Sequence, residues 1–186
     1  MNILVSPLPA TVEVGGASVP IRTGYRIGIQ VARAADSGLA DALVAGTILR
    51  LYYADAVPEQ RAAALDAAME FHRLGQPVPK RRTRARRLLD WDHDAGMVLA
   101  DFRREYGIDL ADASTRMHWW VFMAYFNNLS ADSQTKNAIY YRQASRPRDM
   151  SPAEAKRFSA MKKAYALPPR TVHDAEADEA AMWGDR

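Results

Sequence analysis

Residues 90–129, DWDHDAGMVLADFRREYGIDLADASTRMHWWVFMAYFNNL, decide the fold. Trp91, Ala95, Val98, Phe102 and Tyr106 recur at steps of four and three, the stripe of an amphipathic helix, with Gly107 to stop it. Asp90 is placed to cap that helix, and Asp92 and Asp94 add negative charge where the helix dipole favours it. Ile108 and Leu110 can fold back from the connection. A second helix, about Thr115 to Asn128, is apolar on every side through MHWWVFMAYF and is expected in the middle of the molecule, touched from several directions.

The flanks cover this segment. Ahead of it, residues 11–21 (TVEVGGASVPI) read as a β-hairpin. Val12 and Val14 alternate with polar neighbours, Gly15-Gly16 supplies a tight turn, and Pro20 restricts the second strand to an edge. Three helices follow. The first places Tyr25, Ile29 and Ala32 inward. The second uses Leu39, Leu43, Thr47 and Leu51, with Leu49 and Tyr52 beside them. The third starts at Pro58, buries Leu65, Met69 and Phe71, and ends at Gly75. After the central segment, Ser130 is expected to cap a helix over 131–143 bearing Ile139, Tyr140 and Tyr141. Ser151-Pro152-Ala153-Glu154 forms a capping box for a last helix with Phe158, Met161 and Tyr165 inside. The fold class is mainly α, six to seven helices with an N-terminal β-hairpin. The units are 1–75, a basic linker over 76–88, a helical unit over 89–168 and an acidic tail over 169–186, read as disordered or weakly helical.

Composition narrows function. The 186 residues contain no cysteine, which excludes disulfides, thiolate metal sites and cysteine nucleophiles. No apolar run reaches the roughly 20 residues that span a bilayer, and the N-terminus lacks a signal-peptide pattern, so a soluble intracellular protein is expected. The net charge of +3 comes from one tract: without the six charges of Lys80, Arg81, Arg82, Arg84, Arg86 and Arg87 it would be −3. That tract is a hinge or protein contact before it is a nucleic-acid site, because no aromatic residues interleave it.

Asp90-x-Asp92-x-Asp94 resembles the start of a calcium loop, but Ala95 and Asp101 stand where glycine and glutamate are required, so these acids are read as helix-start charge. His93 and His118 lack the spacing of a zinc site and are read as packed residues. Trp119-Trp120 is read as core with an edge available to a partner. No GxGxxG, P-loop, GxSxG or HExxH occurs, so no enzyme, cofactor or metal is assigned.

With these elements in order, DWDHDAGMVLADFRREYGIDL, MHWWVFMAYFNNLS, Tyr141-Arg142 and MKKAYALP (161–168) resemble the bacteriophage gene-product-fifteen family, over about residues 5–168. The resemblance implies a tail assembly chaperone, acting in the host cytoplasm, that holds the tape measure protein until tail-tube subunits polymerise around it. Its partner-binding candidates are Trp119, Trp120, Phe122, Met123, Tyr140 and Tyr141, with homo-oligomerisation left open. The alternatives are a nucleic-acid-binding accessory acting through residues 80–87 and a minor structural component of the tail.

Overall fold

Two short strands open the fold: β1 (Thr11–Val14) and β2 (Ala17–Pro20) pair antiparallel, with Val12 opposite Val19 and Val14 opposite Ala17. Gly15 and Gly16 turn the chain at φ +59° and +83°, the left-handed region that glycine enters freely. The computed structural model describes residues 2–54, 56–76, 87–147 and 149–169. Within them seven helices follow the hairpin: α1 (Tyr25–Ala35), α2 (Asp41–Tyr53), α3 (Arg61–His72), α4 (Ala95–Tyr106), α5 (Trp119–Asn127), α6 (Gln134–Gln143) and α7 (Pro152–Ala164). The mainly α class and the hairpin are as expected from the sequence. Most of the basic tract, Lys80 to Arg86, and the tail from Arg170 lie outside the described residues.

The hairpin rests on α3, α1 packs on α2 and α5, and α4 packs on α5 and α6, with α7 against α6. One apolar cluster runs from Val14 and Tyr25 through Tyr52 and Phe71 to Phe102, Trp119, Phe122 and Leu129, so both sides of the basic tract contribute to it.

The phases of the first three helices differ from the sequence reading. In α1 the buried side is Tyr25, Gly28 and Val31, while Ile29 and Ala32 are half-buried. A hydrophobic stripe overlooks glycine, which has no side chain, yet Gly28 faces the core because a ring lies against its backbone. Leu39 lies ahead of α2; it and Leu43 are exposed, and Ile48, Leu49, Tyr52 and Tyr53 are buried instead. This helix is apolar around most of its circumference, so periodicity could not set its phase. The tyrosines go inward because their hydroxyls find partners: Tyr52 on His72 Nδ1 at 2.8 Å and Tyr53 on the Ala64 carbonyl at 2.8 Å. Helix α3 begins at Arg61, beyond Pro58, and buries Ala64, Ala68 and Phe71, leaving Leu65 and Met69 half-buried. Small residues there let α2 approach closely. Gly75, at φ +74°, closes the helix with its N–H on the Glu70 carbonyl.

Helix starts in the second half are also displaced. Asp90 Oδ1 accepts the N–H groups of Asp92 and His93, both at 2.9 Å, which stabilises a turn, and α4 starts only at Ala95. Trp91 therefore packs on Phe122 and Phe126 from the turn. Helix α5 starts at Trp119 because the chain before it is extended: Gly24 and His118 form an antiparallel bridge, and Trp119 N–H donates to Thr23 O at 2.7 Å. The cap of α6 is Ser133, not Ser130. The capping box at Ser151 and Glu154, with Pro152 at the first position of α7, is as read from the sequence.

Candidate partner interface

The tryptophan pair illustrates how this molecule spends its aromatic residues. Trp119 and Trp120 leave α5 about 100° apart, yet both indole N–H groups reach the same place. Trp119 Nε1 donates to the His72 carbonyl and Trp120 Nε1 to the Phe71 carbonyl, each at 2.8 Å. These are carbonyls of the last turn of α3; that of Phe71 also accepts the Leu74 N–H at 3.0 Å. The twin tryptophans thus cap one helix from another. Trp119 also lies flat on the His72 ring, centroids 4.9 Å apart and planes 10° apart. A Cβ added to Gly28 would stand 2.2 Å from its six-membered ring, so only glycine allows this approach.

Two histidines serve this arrangement. His72 is largely enclosed, and burial, reinforced by Arg73, pushes its pKa down to about 4. The ring is therefore neutral at neutral pH and accepts the Tyr52 hydroxyl at Nδ1, while burial raises the pKa of that tyrosine. His118 caps α5 by accepting the Trp120 N–H at Nδ1, which leaves the proton on Nε2 to donate to Pro9 O at 3.0 Å. Burial lowers its pKa, and the Pro9 hydrogen bond opposes the shift. His118 is a packed residue with two local bonds. His93, expected to be packed, is instead exposed, and its backbone N–H donates to Asp90.

The acids read as helix-start charge have separate partners. Asp92 pairs with Arg33 at 2.8 Å on the surface, and Asp90 faces Arg87 at 3.3 Å. Asp94 requires correction: it stands at the start of α4 but is fully buried, and both its oxygens receive the Arg142 guanidinium, at 2.6 and 2.8 Å. Arg142 also donates to Leu88 O at 2.9 Å and Tyr165 O at 2.6 Å, joining the chain before α4 to the end of α7. Two turns further along α4 comes Asp101, also buried, which accepts the N–H groups of Gln134 and Thr135 and so caps α6 from outside. Glu105 holds Ser130 by its N–H and hydroxyl, both at 2.8 Å, and these bonds lower its pKa. Asp94 and Asp101 thereby clamp α6, and Glu105 holds the turn ahead of it. None of this was legible in advance, since the partners lie 25 to 48 positions away. Among the described residues, no group of three His, Cys, Asp or Glu side chains is placed to hold a metal ion.

Of the six partner-binding candidates, Trp119 and Phe122 are buried and present no surface. Trp120, Met123 and Tyr141 are half-buried, and Tyr140 is more than half exposed. They do not form one patch. Tyr140 and Tyr141 belong to a separate cluster in which Tyr141 stacks on Tyr165 (8° between planes) and leans on Phe158. Of the basic tract only Arg87 is described, donating to Pro168 O. Beside α5 runs an open groove of about 520 Å³. Ile108, Met117, Val121 and Tyr125 line it, and Arg103, Asp109, Asp112 and Arg116 ring it. Its apolar residues sit on the outer side of the helix and on the YGIDL connection, whereas the sequence reading favoured the larger tryptophans.

What the fold defines is a mainly α protein whose polar interior is devoted to locking helices together. The family model described as Bacteriophage Gp15 protein matches residues 4–167, and the chain belongs to that family. It is thus a bacteriophage protein of the structural or assembly class. No curated protein and no solved structure matches it. Among the described residues, no helix is long and apolar enough to cross a membrane.

Proposed function

We propose that the protein is a non-catalytic tail assembly chaperone that binds the tape measure protein in the host cytoplasm while tail-tube subunits assemble around it. The family match over residues 4–167 carries this reading. The groove along α5 supports it: a floor of methionine, valine, isoleucine and tyrosine between rims of both charges suits the apolar face of an amphipathic helix. The non-catalytic part is supported by the use made of the buried carboxylates and histidines, which hold helix ends, a carbonyl, an arginine and a tyrosine hydroxyl.

Co-expression with the tape measure protein tests the reading. The expected outcome is a soluble complex that Val121→Glu in the groove abolishes without unfolding the protein. A tape measure protein that stays insoluble, with no complex recovered, overturns it. Recovery of this chain from purified virions in fixed stoichiometry would point to a structural role in the tail instead.

A further inference from the structure

We infer that the outer seam between α6 and α7 binds single-stranded nucleic acid, with Tyr140 stacking a base and lysines of α7 holding phosphates. Tyr140 is 55% exposed, more than any other aromatic residue described. One ring meets it, that of Tyr141, with centroids 5.2 Å apart and planes at 75°. Across the seam, Lys162 passes over the Phe158 ring and donates to the Ala144 carbonyl at 2.8 Å. Ala144 stands one turn beyond Tyr140, to whose carbonyl its own N–H donates at 2.8 Å. At 100° per residue, the positions that follow Lys162 outward around α7 are Ser159, Lys163 and Lys156, all exposed on the solvent side.

Charge and shape select the occupant. Among the described residues, neither Lys156 nor Lys163 has a carboxylate within ion-pair distance, and neither does Arg146, exposed two residues beyond Ala144. From Arg146 to Pro169 the acids are Asp149 and Glu154, and Glu154 is turned to the Ser151 N–H and hydroxyl, at 2.9 and 2.6 Å. Ser159 and Ala160 lie exposed between the lysines, so this face lacks the apolar centre that a protein partner buries and leaves the helix open to close approach. An exposed ring beside unpaired cations is the arrangement that holds unstacked bases by their faces and the backbone by its charge. The surface shares no residue with the groove along α5.

Fluorescence anisotropy of labelled oligothymidylate and oligouridylate, titrated with the full chain, tests this. Affinity for either strand is expected to fall linearly with the logarithm of the salt concentration. Lys156→Gln combined with Lys163→Gln should make that slope shallower by about 1.4, at roughly 0.7 per phosphate contact on a single strand. Tyr140→Ala should weaken binding about tenfold with the slope unchanged, and Tyr140→Trp should keep it. Val121→Glu in the groove should bind as the parent does. Three results overturn the inference: no binding of either strand at low salt; a duplex bound as tightly as a single strand; or parental binding by Tyr140→Ala and the lysine double variant, with loss only when Lys80, Arg81, Arg82, Arg84 and Arg86 are replaced by glutamine.

Discussion

Asp94 and Arg142, 48 positions apart, meet through two hydrogen bonds of 2.6 and 2.8 Å, with side-chain exposures of 0% and 3%. The pair joins the start of α4 to the last turn of α6. Through the two further bonds of Arg142, to Leu88 O and Tyr165 O, it also fixes the chain ahead of α4 and the end of α7.

A buried pair of this kind is costly to break from one side, because the remaining charge stays uncompensated. Asp94→Ala is expected to cost about 3–5 kcal/mol in urea unfolding. Replacing both residues with apolar ones of similar volume should recover much of that loss. A double variant as unstable as the single one would show that the Arg142 bonds to the carbonyls dominate.

At Gly28 the usual rule for helices reverses. Glycine to alanine inside a helix normally gains up to about 1 kcal/mol. Here the new methyl would meet the Trp119 ring, so Gly28→Ala should lose about 1–3 kcal/mol by overpacking and shift the tryptophan fluorescence.

The twin tryptophans should separate in stability. Trp119→Ala empties a site that is 2% exposed and is expected to cost about 3–5 kcal/mol. Trp120 is half-buried, and its loss should cost roughly half as much, chiefly through the Phe71 carbonyl bond and partial burial. Equal, small losses in chemical denaturation would mean that α5 is not central.

His72 makes stability depend on pH in a defined window. Its folded pKa of about 4 lies below the ordinary 6.5, so as the pH falls the unfolded chain takes up a proton first. Its contribution is complete above about 6.5, declines from there to about 4, and falls no further below that, amounting to about 3 kcal/mol at 1.36 kcal/mol per unit. His72→Gln should flatten this slope. Subtracting the two pH profiles separates it from Glu105, Asp112 and Glu154, whose depressed pKa values withdraw stability at lower pH.

Features with local causes could be read from the sequence: the Val12/Val19 hairpin with its two glycines, the Ser151–Glu154 box, the Gly107 stop. Each depends on neighbours within a few positions. Helix phases failed where both faces are apolar, as in α2, or where the core-facing residue is a glycine, as in α1. Helix starts failed at Ala95 and Trp119 because Asp90 holds the Asp92 and His93 N–H groups in a turn, and because the chain at His118 and Trp119 is bridged to Gly24 and Thr23. The site was less legible still. Large aromatic residues drew attention to Trp119 and Phe122, which the core consumes, while the groove depends on Ile108, Val121 and Tyr125, unremarkable until α4 and α5 are brought together.

The two indole bonds to the end of α3 also set an order in time. A ribosome at roughly 5–20 residues per second takes several seconds to travel from Gly75 to Trp120. Through that interval the nascent hairpin and first three helices have an unfilled space over Gly28 and lack the indole bonds to the Phe71 and His72 carbonyls. The interior closes only when α5 arrives. A chain truncated before residue 119 would therefore expose the apolar surface that the complete chain hides, and should be the form that aggregates or is degraded.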